Sequence, residues 1–232
     1  VLPTSPSAAA AECTTTFLDT AGDQRWENPT NWTEQETPTH DDVVCVSGLS
    51  VVVSSSTAVG SLRGDGEVDV EAGADLRVLG EVDLGSFLVT DGRLEIAGGG
   101  TVDNFVQDGG TVTGTGVLSV LASFEMTGGQ QTGSTGATAI SPDAETSFTL
   151  HGALVWGDRP LVSDAGVTTI TGAGQVDFGS TIVTIRNLSV PAEADVALAG
   201  TAIGIDRTGV VAGSLTMPRF ATVAGAWTVV AD

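Results

Sequence analysis

Phenylalanine returns at positions 87, 105 and 124 of this chain. Each time a glycine stands five residues later, at 92, 110 and 129. A fourth, Phe148, follows after a longer interval. The second and third units also carry a glycine ahead of an apolar alternation, GVLSV at 116–120 and GATAI at 136–140. Self-similarity at a period near 20 is the signature of a solenoid. Each repeat is then one winding that cannot bury its apolar side alone and buries it against its neighbours.

The pattern inside each repeat says what the windings are made of. In EVDVE at 67–71, Val68 and Val70 point one way and Glu67, Asp69 and Glu71 the other, the period of a half-buried strand. Short strands of this kind are separated by glycines, which supply corners where the backbone turns sharply. Stacked at about 4.8 Å, successive windings would bring Phe87, Phe105, Phe124 and Phe148 into one internal aromatic column. The fold class expected is all-β, a right-handed parallel β-helix. The rival is one or two β-sandwiches, whose strands also come at short spacing. A sandwich gives no reason for one residue type to return every 18 or 19 positions, and Asn-Gly hairpin signals are absent.

Charge excludes several functions. There are 29 acidic residues against 8 basic ones in 232, a formal net charge of −21, and every basic residue is Arg. Nucleic acid and anionic lipid headgroups are repelled by such a surface. Without Lys there is no Schiff-base chemistry. No stretch approaches the roughly 20 apolar residues of a membrane span, so no membrane insertion is expected.

Two cysteines, Cys13 and Cys45, lie outside any CxxC or Cys/His cluster. They read as a disulfide of an exported protein or as two buried thiols. VLPTSPSAAAAEC at the start has the small-residue character of a signal-peptide cleavage region. The chain divides into a leader and cap segment, 1–41, and a run of coils, 42–232. A solenoid needs its open ends covered. Trp26 and Trp32, in RWENPTNWTEQETPTHDDVVCV at 25–46, are large enough to cover the first coil. A bond from Cys13 to Cys45 would pin the leader across that cap. The opposite end, AGAWTVVAD, stops on an apolar alternation.

The residues Trp26, Asn28, Pro29, Asn31, Trp32, Pro38, Asp42 and Val44 form a pattern that resembles the opening motif of secreted bacterial β-helix repeat proteins, the autotransporter passengers and adhesins. The later G-x-L-x-V and T-G-x-G segments are similar to their coils. The resemblance covers about residues 20–190. It implies an exported structural or adhesive module of a larger chain and no catalytic residues. The acidity and the cysteine-bearing strand at 45 depart from the family's pattern.

Candidate chemistry is sparse. Asp91 and Asp108 fall near equivalent corners and are the candidate Ca²⁺ ligands, although the calcium β-roll repeat is absent. Calcium is the one cofactor considered. His40 and His151 are too isolated for a triad or a zinc site. RGD at 63–65 matches an integrin-binding tripeptide over three residues only. Asn31 and Asn187 open glycosylation sequons. The densest acidic patch is EVDVE with Asp75, Glu81 and Asp83, accompanied by Arg63, Arg77 and Arg93. Glycan-cleaving β-helices need such groups gathered on one outer face, whereas here they spread along the stack. Outward Thr in TVTGTG and TTITG does not recur at one position over several coils, as an ice-binding rank would require. The expected function is a non-catalytic secreted or surface stalk, adhesin segment or filament subunit that self-associates through its ends. The alternative is a carbohydrate-binding or polysaccharide-degrading β-helix.

Overall fold

The computed structural model describes residues 12–200 and 202–217, and the backbone of 222–223 and 226–229. The leader segment 1–11 and the side chains near the C-terminal end lie outside the described residues. The chain is all-β, 61% strand, wound into a parallel β-solenoid of about nine turns.

Each turn presents three faces. The first face is built from Val43–Cys45, then the first part of Ser61–Val70, and so on through Leu161–Ser163 to the start of Ala202–Val211. The second face begins at Ser50–Val53 and passes through Phe87, Phe105 and Phe124. The third begins at Ser56–Val59 and Asp75–Val78 and ends at Ser214–Thr216. Every ladder between named strands is parallel. The one antiparallel contact among the described residues is an isolated bridge between Phe17 and Trp32. A sandwich is thereby excluded, because sandwiches are built from antiparallel pairs.

Alternation builds the core. Val68 and Val70 are fully buried, while Glu67 and Asp69 face outward. Phe87 pairs with Phe105 and Phe105 with Phe124 in strict register. Their ring centroids lie 6.5 and 5.6 Å apart. Phe148 departs from that column. Thr146 takes the place opposite Phe124, and Phe148 pairs with Met126, two residues further on. Its ring still reaches Phe124 at 5.6 Å. Phe148 stands eight residues after Ile140, whereas Phe124 stands four after Val120; the Ser141–Ala144 corner, two residues longer than Leu121–Ala122, absorbs two of the four extra residues, and the phenylalanine lies two places further along its strand. The aromatic column then crosses the interior through Trp156 to Phe178.

The glycine that follows each Phe by five residues makes the next corner. Gly110 has φ of +63°, and a Cβ there would collide with the carbonyl oxygen of Gly92, one coil back. The corner is therefore closed to side chains by its neighbour as well as by its own conformation.

Candidate interaction surfaces

The N-terminal end is closed by three aromatic rings and one covalent bond. Thr15–Thr16 pairs with Val44 and Cys45, and Arg25 bridges Val52, so residues ahead of 42 form an incomplete winding below the first full coil. Trp26, Trp32 and Phe17 are buried there, with Trp26–Trp32 centroids 4.7 Å and Phe17–Trp32 centroids 5.1 Å apart. Trp32 Nε1 donates to Trp26 O at 2.8 Å. Cys13 and Cys45 are joined in a disulfide, with Cα atoms 5.8 Å apart. Asp23 organises the turn between the tryptophans. It accepts from Arg25 N, Asn28 Nδ2 and Asn31 Nδ2, and these bonds hold its carboxyl below the usual Asp range. Asn31 is fully buried and bonded to Asp23, so its sequon is closed to modification in the folded chain. Asn187 donates to Gly166 O.

Above the cap the outer surface is a ladder of ion pairs. Equivalent outward positions on adjacent coils sit about 4.8 Å apart, so like charges there would repel. Arg63 pairs with Glu81 at 2.6 Å, Arg93 with both Asp75 and Glu95 at 2.8 Å, and Arg77 with Glu95 at 3.2 Å. Arg25 meets Glu71 at 2.9 Å. Of the dense patch foreseen around EVDVE, Glu71, Asp75 and Glu81 are neutralised by Arg25, Arg93 and Arg63, whereas Glu67 accepts from Ser50 Oγ and Asp83 from Thr101 Oγ1. Within RGD, Arg63 is engaged with Glu81 and Asp65 accepts from Gly48 N, inside the strand Ser61–Val70.

Asp91 and Asp108 do not stand at the same register. Asp108 lies opposite Thr90, because Val89 pairs with Gln107. Asp108 accepts a hydrogen bond from Thr127 Oγ1. Asp91 carries φ of +60° at its turn. Among the described residues no group of three or more His, Cys, Asp and Glu side chains is placed to hold a metal ion. His40 lies 3.4 Å from Asp41 on the surface, and His151 is exposed.

Where the coils lengthen, two features arise that the sequence did not announce. One is outside: a groove of about 560 Å³ beside the Ser141–Ala144 corner, lined by Glu125, Asp143, Glu145 and Thr169 among others. The other is inside. Arg159 is fully buried and, among the described residues, carries no carboxylate partner. Its Nη1 donates to Gly114 O, its Nη2 to Gly116 O and Ala137 O, and its Nε to Thr138 Oγ1. Burial pushes its pKa down to about 10, which leaves it charged at neutral pH. Gln107 and Gln131, also fully buried, continue the network through Thr138. The signal available in sequence was the coincidence of extra residues between Gln131 and Leu161 with polar residues at inward positions.

The first face changes character along its length. Its two outward columns carry Glu81, Arg63 and Asp83 in the early coils. Beyond Gly99 and Thr101 they carry no ionisable side chain among the described residues. One column runs Val117, Ala137, Pro160, Ile182, Ala202. The other runs Ser119, Ala139, Val162, Thr184, Gly204. Ile182 is 64% exposed, Val117 49% and Val162 40%.

Comparison with protein-family models, with curated proteins and with solved structures gave no match.

Proposed function

We propose that this chain is a non-catalytic structural module, a rigid stalk, adhesin segment or filament subunit displayed outside the cell. The observation that carries this reading is the continuous stack of parallel coils, closed at its N-terminal end by a disulfide and a tryptophan pair. A disulfide suits an oxidising compartment. Parallel coils stacked over about nine turns make a rod of roughly 45 Å, at about 4.8 Å per turn. The −21 charge keeps such a rod soluble and away from nucleic acid and anionic membranes. Calcium enters this reading as a surface counterion rather than as a built site, and assembly through the solenoid ends belongs to it. The chain carries no helix, among the described residues, that is long and apolar enough to cross a membrane.

The test combines localisation and activity. Expression in a secreting host should deliver the protein outside the cell with Cys13 and Cys45 oxidised, and incubation with a panel of polysaccharides should release no reducing ends. A glycan-directed second reading is favoured by the groove with Glu125, Asp143 and Glu145. Cleavage or saturable glycan binding that disappears in Glu125→Gln and Glu145→Gln would replace the structural reading with that one.

A further inference from the structure

We propose that the uncharged half of the first face is where two copies of this chain pair laterally, face to face, with their solenoid axes antiparallel. This goes beyond the stalk reading, which holds equally for a rod that stays single.

Electrostatics selects the face. Two chains of charge −21 repel wherever acidic columns meet, and at physiological salt that repulsion reaches about 8 Å. The outward columns from Val117 to Ala202 and from Ser119 to Gly204 hold no ionisable group. At their flank Asp164 is neutralised by Arg186 at 2.6 Å. Two copies can approach here without like charges meeting across the columns.

Shape selects the orientation. Large and small side chains alternate along the first column, and reversing its order exchanges them. With a two-fold axis through the coil of Pro160 and Val162, Val117 faces Ala202 of the second copy. Ala137 likewise faces Ile182 of the second copy. In the other column Ser119 meets Gly204, and Ala139 meets Thr184. Val117 and Ile182 thus each meet an alanine, and on the axis Val162 meets Val162 and Pro160 meets Pro160 in apolar contact, so two flat strand faces can close to the ordinary sheet-to-sheet spacing of about 10 Å. A parallel arrangement about an axis along the solenoid would set residues of the same coil against each other, Ile182 against Thr184, and lose that match. Five coils span only about 20 Å of axis. The buried area therefore falls below the roughly 1,200 Å² of a stable complex, and the pairing is weak and concentration-dependent.

Sedimentation equilibrium of the intact protein, from low micromolar to millimolar and in low and raised salt, reads this out. The expected result is reversible dimerisation that strengthens as salt screens the net charge. Ile182→Glu should weaken it by about tenfold or more, while Gln130→Glu, on the third face and equal in added charge, should not. Ala137→Ile alone should weaken pairing by setting two isoleucines against each other, and Ala137→Ile with Ile182→Ala should restore it. Ile182 is exposed, and circular dichroism checks that its variant is folded; Val162→Glu is the second variant. A monomer throughout, or equal effects of Ile182→Glu and Gln130→Glu, overturns lateral pairing. Either result would leave the stalk reading standing, since that reading is judged by export and by the polysaccharide panel.

Discussion

Gln131 donates through Nε2 to Oε1 of Gln107 at 2.9 Å, one coil away, with both side chains fully buried. Two amides stacked inside an otherwise apolar solenoid are stable only because every neighbour answers them. Gln107 also donates to Gly109 O and Gln130 O, and Thr138 donates to Gln131 Oε1. Arg159 anchors the far end of the chain of bonds.

Breaking this network from one side should therefore cost more than a core truncation of similar size. Gln131→Leu leaves the Gln107 and Thr138 groups without their partner, at about 1–3 kcal/mol each for a buried unsatisfied group. Arg159→Met removes a donor from three carbonyls and a hydroxyl at once and should cost on the order of 3 kcal/mol or more. Urea unfolding of both variants checks this. The double variant Gln131→Leu with Gln107→Leu should lose less than the two single losses added together.

Reduction of the Cys13–Cys45 bond should loosen the cap before the coils. A native disulfide of this kind contributes about 2–5 kcal/mol. With reductant, or in Cys13→Ser with Cys45→Ser, tryptophan emission from Trp26 and Trp32 should shift to the red at a lower temperature than the loss of strand signal. Coincident transitions would show instead that cap and coils unfold as one unit.

Asp69 should make the fold gain stability on mild acidification. Its outward carboxylate lies between Val52 and Leu88 in register, and its Oδ1 is buried without a hydrogen-bond partner among the described residues. Burial first, then the neighbouring Glu71, raises its pKa above 3.8. A raised carboxyl binds its proton more tightly folded than unfolded. Its penalty is thus present in full above the folded pKa and is relieved as pH falls through that value toward 3.8. Asp23 acts in the opposite sense: its lowered pKa contributes stability above 3.8 that is lost as pH falls through its folded value. Asp69→Asn should raise the melting temperature at pH 7 and lose that advantage near the unfolded pKa. Thermal melts across this range measure it.

Gly110→Ala should be among the costliest small substitutions in the chain. It combines a positive φ with a collision against Gly92 O, so neither backbone nor neighbour can yield cheaply. The expected loss is about 2 kcal/mol or more, above the roughly 1 kcal/mol ordinarily separating Gly from Ala. Gly73→Ala, with φ of +84° and open space around its Cβ position, should lose less. Denaturant midpoints of the two variants decide whether stacking or backbone strain dominates at the corners.

Much of the architecture was written in the chain. Alternation in EVDVE, the recurrence of Phe87, Phe105 and Phe124, and the glycines beyond them are local properties of a strand and its corner, readable without neighbours. The cysteines at 13 and 45 offered a single possible pair. What sequence could not give was which residue lies over which. Register depends on how many residues each corner consumes: the four of Ser141–Ala144, against two in the coil before, set Thr146 opposite Phe124 and Phe148 opposite Met126. Only the folded stack decided that Arg159 would turn inward to bind the corner carbonyls of the coils before it. The same stack segregated the charges, pairing them in the early coils and leaving the late first face bare. The physical reason is one of range: side-chain direction in a strand is set by the residue's own backbone, whereas a column exists only when successive windings have been laid at one height.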